Sequence, residues 1–213
     1  MSWTLFWLLV KAAQLTILIS LASVFIGFLL GVLVCAAQLS GRRGLTLGAR
    51  FFISFFRGTP LLVQLMLIYY LLPVIHINVP SIVAAIIGMS LSTAAYQAEI
   101  LRGGFISVPK GLLEAADMCG MRRRDIFRRI RAPIAVRLTL PSLTNEAIML
   151  LKASSLVSVV GVIELTRKAQ DLAASTFEPL PLYACAGLIY IVINGVLAYG
   201  SARAERRFNW GRI

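Results

Sequence analysis

The residues able to do chemistry in this 213-residue chain fall into two sets. The first is polar side chains placed inside long apolar tracts: Gln64 and Tyr69, then Thr93, Tyr96 and Gln97, then Asn145, Glu146 and Lys152. A polar group in such a tract is costly against hydrocarbon, so each of these is expected to face protein or water. Three- and four-residue spacing puts Thr93, Tyr96 and Gln97 on one helical face, where they can meet a polar solute or hydrogen-bond between helices. Glu146 and Lys152 are separated by roughly 600° of helical rotation, so they do not pair directly. The second set is Glu114-Ala115-Ala116 followed by Gly120, Ile130 and Pro133, in a stretch rich in arginine. Two alanines beside a carboxylate make a low surface that a partner's backbone can approach closely.

Other chemistry is excluded by residue type or spacing. Cys35, Cys119 and Cys185 form no CxxC pair and read as free thiols. His76, the single histidine, has no thiolate beside it, and no metal site is expected. No serine has a histidine partner, so no catalytic residue is assigned. There is no GxxxxGK[ST] loop to cradle a nucleotide phosphate, and the chain is expected to bind no cofactor itself.

The elements that position these residues follow from composition. The chain is 59% apolar and 14% charged, with mean hydropathy +0.84, where a soluble domain carries about a quarter charged residues. Uncharged tracts of 30 residues, between Lys11 and Arg42, and 24 residues, between Glu178 and Arg203, exceed the roughly 20 needed to cross a bilayer. Five spans are predicted, at about 12–39, 51–72, 81–101, 138–165 and 179–202. Arg57 can reach the interface at the start of the second. Pro73, His76, Asn78 and Pro80 mark a short hairpin before the third. Pro141, Glu146 and Lys152 require part of the fourth to be shielded from lipid. The first tract lacks a basic leader and small-residue cleavage site and reads as a retained span. Gly27 and Gly31 form a GxxxG pair within it, which alone says little about a dimer face.

Charge chooses the orientation. One set of loops holds 17 Lys and Arg, while the other holds only Arg167 and Lys168. The positive-inside rule then puts the amino terminus outside and the carboxyl terminus in the cytoplasm. A formal net charge of +12 reports topology and contact with anionic membrane lipid, and nucleic acid is not needed to explain it. The run from Arg203 to Arg207, with Trp210, reads as an interfacial anchor.

Residues 102–137 form a cytoplasmic segment too polar to cross. Pro109 opens a helix that runs through Met118, with Ser107 as a candidate cap and Gly120 ending it in a turn. A second short helix, Arg122 to Ile130, is expected to pair Asp125 with Arg129 at i, i+4. Six arginines from Arg122 to Arg131 can meet acidic groups or phosphates. The plainer reading is a solvated loop whose arginines only fix topology.

This segment resembles the Glu-Ala-Ala loop of bacterial ABC importer permeases. Glu114-Ala115-Ala116, Gly120 and Ile130 fall in that family's register, and Ala132-Pro133 stands where the family has Leu-Pro. Further blocks resemble the polar amino acid uptake permeases, the histidine, glutamine and arginine type: Phe55 through Gln64, Tyr96 through Gly104, Ser107 through Gly111, and Lys152 through Val159. At Ala153 that family often has Asp or Asn, so a contact made by that side chain is absent or replaced here. The likeness covers about residues 10–206, leaving 207–213 as a cytoplasmic tail.

The resemblance implies an all-α integral membrane protein of the type I ABC importer permease fold, with five transmembrane helices. It implies that the Glu114 helix docks into a cytosolic ATP-binding subunit, one of a pair, with ATP and Mg held on that partner. It also implies a second identical or homologous permease subunit, an extracytoplasmic amino acid-binding protein, and the bacterial inner membrane as the location. A site near mid-membrane must open to one side at a time. The expected substrate path is Gln64, Tyr69, Thr93, Tyr96, Gln97, Asn145 and Glu146, with the Glu146 carboxylate facing a cationic side chain or an α-amino group. A stand-alone secondary transporter or channel is the alternative, but it needs repeats and coupling carboxylates that are not evident. A membrane enzyme lacks any catalytic constellation. Both leave the Glu114–Pro133 segment unexplained.

Overall fold

The computed structural model of the chain describes residues 3–74 and 76–208, and every regular element among them is helical. Trp210 and the rest of 209–213 lie outside the described residues. The first helix, α1 (Trp3–Leu39), has 37 residues, which at 1.5 Å each is about 55 Å, well beyond the hydrocarbon thickness. It starts ahead of the expected 12–39 span, with Lys11 exposed on its side.

The range expected to form a single second span is broken in two. Helix α2 (Arg43–Gly58) and helix α3 (Leu61–Val74) meet at an angle of 107°. Pro60 has no amide hydrogen and disfavours helical backbone at the residue before it, so Thr59 is extended, with φ −108°. Gln64 then secures the elbow, its amide donating to the Phe56 carbonyl at 2.8 Å, the Thr59 carbonyl at 2.9 Å and the Thr59 hydroxyl at 3.0 Å. Helix α3 ends where His76, at φ 60°, turns the chain back into the hairpin.

Helix α4 (Ser81–Ile106) is the central element, buried through most of its length. Its main partner is α1, which turns Gly27 and Gly31 toward it. A Cβ at Gly27 would overlap the Thr93 methyl and sit 3.0 Å from the Ser90 carbonyl, and one at Gly31 would sit 3.1 Å from the Ala94 carbonyl. The GxxxG pair therefore packs two helices of one chain at close range.

After α5 (Lys110–Met118), a turn leads into α6 (Arg123–Ile126), a π-helical stretch (Phe127–Arg131), and α7 (Ala132–Ala153). The predicted helix at 122–130 thus merges with the fourth span. Pro133 cannot donate to the carbonyl four residues back, and the widened π turn accommodates that loss. A 3-10 turn (Ser154–Val160) and a left-handed Gly161, at φ 82°, stop the span ahead of residue 165. The chain then forms α8 (Leu165–Thr176), an element the 138–165 and 179–202 spans do not include, before the long α9 (Pro179–Phe208).

Three packed clusters follow α1 from end to end. Leu9 and Ala13 meet Leu165, Leu172 and Leu182, Ile19 meets Leu65, Met89 and Val157, and Cys35 meets Ile53, Ala98 and Leu101. Four described helices are long and apolar enough to cross a membrane, or five spans if the bent α2–α3 pair counts as one.

Candidate functional site

The first functional region is the Glu114 helix. Pro109, at φ −57°, precedes α5, and Gly120, at φ +72°, follows it in the left-handed region that favours glycine. The Gly120 amide donates to the Asp117 carbonyl at 2.9 Å and the Met121 amide to the Ala116 carbonyl at 3.2 Å, closing the helix as a glycine C-cap does. Ser107 closes the end of α4, its amide donating to the Gly103 carbonyl at 2.9 Å, and makes no side-chain cap to α5.

Within α5 the surface is divided by the helical period. Glu114 and Ala115 are exposed while Ala116 is buried against the chain. Ile130 is half-buried and Pro133 exposed. Asp125 and Arg129 approach to 3.9 Å, the expected pair, though both are largely exposed and add little stability. The link to the spans lies beside them. Phe105, in the last turn of α4, stacks on Phe127 with ring centroids 5.8 Å apart, and the Arg131 guanidinium lies 5.9 Å from its centroid. A Cβ at Gly104 would overlap Thr139 on α7. The arginine-rich segment is thus clamped to the ends of α4 and α7.

The second region is a cavity of about 420 Å³ where the α2–α3 elbow faces α4 and α7, lined by Arg57, Thr59, Ser92, Tyr96, Glu146 and Ala153 among others. Its size suits a small ligand. Glu146 is oriented from behind: the Thr93 hydroxyl donates to its carboxylate at 3.1 Å, the Gln97 amide donates to Thr93 at 3.1 Å, and that amide also reaches the Val24 carbonyl of α1 at 3.4 Å. Thr93 and Gln97 are fully buried, so they support Glu146 while Glu146 and Tyr96 present the wall.

The structure therefore brings together Thr93, Tyr96, Gln97 and Glu146. The other expected path residues lie elsewhere. Gln64 is buried at the elbow, Tyr69 packs in the cluster around Leu65 and Met89, and Asn145 is exposed, with its amide 3.8 Å from the Met149 sulfur. Sequence reasoning did not include Arg57, Ser92 or Ala153 in the path. The available signal was the break itself: Arg57 immediately precedes Gly58-Thr59-Pro60, which turns a residue at the end of one helix toward the middle of the fold.

Arg57 also borders a second cavity, of about 460 Å³, lined by Gln38, Arg50, Glu99 and Arg102. There the Glu99 carboxylate accepts from Arg102 at 2.8 and 3.0 Å and from Gln38 at 2.8 Å, while Arg57 stands 3.9 Å away. This cluster joins α1, α2 and α4.

The family described as binding-protein-dependent transport system inner membrane component matches residues 23–209. The chain belongs to this family. It is an ABC importer permease subunit, a transport component rather than an enzyme. It is 39% identical over 205 residues to the octopine transport system permease protein OccM of Rhizobium meliloti, covering 92% of this chain and 84% of that one. It is 35% identical over 211 residues to the glutamine transport system permease protein GlnP of Escherichia coli, covering 96% of each. Its fold matches the crystal structure of an amino acid ABC transporter with histidines at TM-score 0.89 and 34% identity, covering 94% of both chains. The MetNI methionine ABC transporter, at 20% identity and TM-score 0.79, shares the fold of this permease.

Proposed function

We propose that the chain is the permease subunit of an ATP-driven importer that moves amino acids, polar or basic ones, inward by alternating access. The observation that carries this reading is a single chain that joins a Glu-Ala-Ala helix in family register to a cavity with a buttressed carboxylate, at 34–35% identity to a glutamine permease and an amino acid ABC transporter. The bent α2–α3 pair counts as the second of five spans. The distribution of arginine supports an amino terminus outside and a carboxyl terminus in the cytoplasm of a bacterial inner membrane.

In this reading Glu114, Ala115 and Gly120 present the docking surface to a cytosolic ATP-binding subunit, Ala116, buried on the opposite face of the helix, seats that helix on the chain and does not itself meet the partner, and Ile130 and Pro133 set the base of α7 behind it. ATP and Mg are bound by a pair of such subunits. A second permease, identical or homologous, completes the pathway, and an extracytoplasmic binding protein delivers the amino acid. Closure of the ATPases moves α5, and the Phe105–Phe127–Arg131 clamp passes that movement to α4 and α7, which carry Thr93 and Glu146. A stand-alone transporter or channel leaves that clamp and helix without a role.

The test is reconstitution of the permease with its ATPase and binding protein in liposomes, followed by uptake of a panel of radiolabelled amino acids. Wild type should accumulate at least one in an ATP-dependent manner, and Glu114→Arg should lose ATPase association or coupling. Unchanged association and transport in Glu114→Arg would remove the docking assignment.

A further inference from the structure

Helix α2 carries Arg43, Arg50 and Arg57 at seven-residue spacing, which sets them in one stripe along the helix. Two cavities open along that stripe. One is the cavity around Glu99, whose wall includes Arg50, Arg57 and Arg102. The other, of about 470 Å³, is lined by Gln38, Gly41, Arg43, Thr46, Leu47 and Arg50. Gln38 and Arg50 belong to both, so the cavities adjoin, level with the last turn of α1. Four arginines there face one carboxylate, and Glu99 is already met by Arg102 and Gln38. Arg57 reaches it only loosely, at 3.9 Å. Among the described residues the Arg43 and Arg50 guanidiniums make no hydrogen bond or ion pair. Beside the stripe, Leu47, Phe51 and Phe55 recur every four residues as an apolar face, with Leu47 71% and Phe51 74% exposed. Phe55 also edges an apolar cavity of about 230 Å³ that runs onto α3 at Leu67, Ile68 and Leu71.

We propose that the groove around Arg50 binds an anionic phospholipid, its phosphate held by Arg50 between Arg43 and Arg57 and its acyl chains lying on Leu47, Phe51 and Phe55. An excess of arginine at one membrane face explains a diffuse attraction to anionic lipid. It does not explain arginines that line two joined cavities in a row with their donors unused. A phosphodiester has two unesterified oxygens, which match the two parallel N–H groups of a guanidinium fork. The groove holds no unpaired carboxylate for the ammonium of a zwitterionic headgroup, so an anionic headgroup is preferred. The apolar face selects a lipid over a soluble anion, because a basic stripe beside exposed leucine and phenylalanine is the surface of a helix lying at a lipid interface. The site is at the face that the reading above makes cytoplasmic, but its geometry is the same in either orientation and whatever solute is carried.

Native mass spectrometry of the detergent-solubilised permease–ATPase complex tests this, with phosphatidylglycerol, phosphatidylethanolamine and inorganic phosphate as probes. Wild type should retain phosphatidylglycerol more tightly than phosphatidylethanolamine. Arg50→Gln should weaken phosphatidylglycerol about fivefold or more and leave phosphatidylethanolamine unchanged, and Arg50→Lys, which keeps the charge without the fork, should recover part of the loss. Arg42→Gln removes the same charge from the same end of α2 but lines neither cavity, and should change retention by less than about twofold. Millimolar inorganic phosphate should not displace the lipid. Arg43→Gln, with a loss of about threefold or more, serves as a second variant should Arg50→Gln fail to assemble. Equal retention of the two lipids overturns the proposal. So do equal losses in Arg42→Gln and the stripe variants, which would reduce the groove to part of a diffuse field, and displacement by inorganic phosphate, which would make it a soluble-anion site. None of these readouts depends on transport, so a failure here leaves the importer reading standing.

Discussion

At the residue scale, the fold depends on a few positions where a missing side chain matters more than a present one. Gly27 lets α1 approach α4 until the Thr93 methyl occupies the space a Cβ would need, and Thr93 is the residue that orients Glu146. A helix-packing glycine and a candidate substrate carboxylate are thereby coupled through one threonine. Gly27→Ala should cost about 1–3 kcal/mol, because the Ser90 carbonyl 3.0 Å away is backbone and cannot swing aside. Gly44→Ala, on α2 with nothing within 4 Å, should be neutral or stabilising by up to about 1 kcal/mol through helix propensity. Thermal unfolding of the two variants in detergent compares them directly; equal midpoints would show that α1 and α4 are not packed at this distance. Gln64 is a second lesson at this scale. Its amide holds the elbow through three hydrogen bonds, a use that depends on a tertiary bend invisible in linear spacing.

Helical elements were legible in the sequence to the degree that local stereochemistry defines them. Pro109 and Gly120 bound α5 because one fixes φ and the other permits a left-handed turn, and both act within four residues. The elbow was missed because a hydropathy tract runs unbroken across Gly58-Thr59-Pro60, and apolar composition carries no angle. Helix α8 was missed for a different reason: its anchor is tertiary. Glu164 accepts from the Thr166 and Arg167 amides at 2.8 Å each, capping α8, and from the Tyr190 hydroxyl of α9 at 3.0 Å, while the Leu165 amide donates to Thr16 of α1 at 3.1 Å. One carboxylate thus joins the start of α8 to α9, and its neighbour joins it to α1. Glu164→Ala should destabilise the protein by about 2 kcal/mol, at the upper end for a lost N-cap, with faster hydrogen exchange at the Thr166 and Arg167 amides. Glu164→Gln, which keeps one acceptor oxygen, should fall between. Normal protection of those amides in Glu164→Ala would mean that α8 is held by its apolar face alone, through Leu165, Ala169 and Leu172.

For the whole molecule, the contrast between α4 and α9 shows how the bundle meets its surroundings. The α4 span is buried over 61% of its most apolar stretch and the α9 span over only 11%, so within this chain α4 is the axis and α9 an outer flank. The elbow cavity, the Glu99 cluster and the Phe105 clamp all involve α4, and in the proposed function a push on α5 reaches Glu146 through it. That chain of contacts works only if α5 faces the ATPase, and orientation rests on charge asymmetry. The cysteines provide a test without engineering. Cys119, next to Gly120 at the end of α5, is exposed, while Cys35 and Cys185 are buried. A membrane-impermeant maleimide should label the protein in inside-out vesicles and not in right-side-out ones, and Cys119→Ser should abolish the signal. Bound ATPase should slow the labelling, because Cys119 lies at the foot of the docking helix. Labelling in right-side-out vesicles alone would invert the topology and place the Glu-Ala-Ala helix away from ATP, leaving the arginine-rich segment to be explained by lipid. Correct sidedness without ATPase protection would keep the topology but move the docking surface off the end of α5, toward the exposed Glu114 and Ala115 alone.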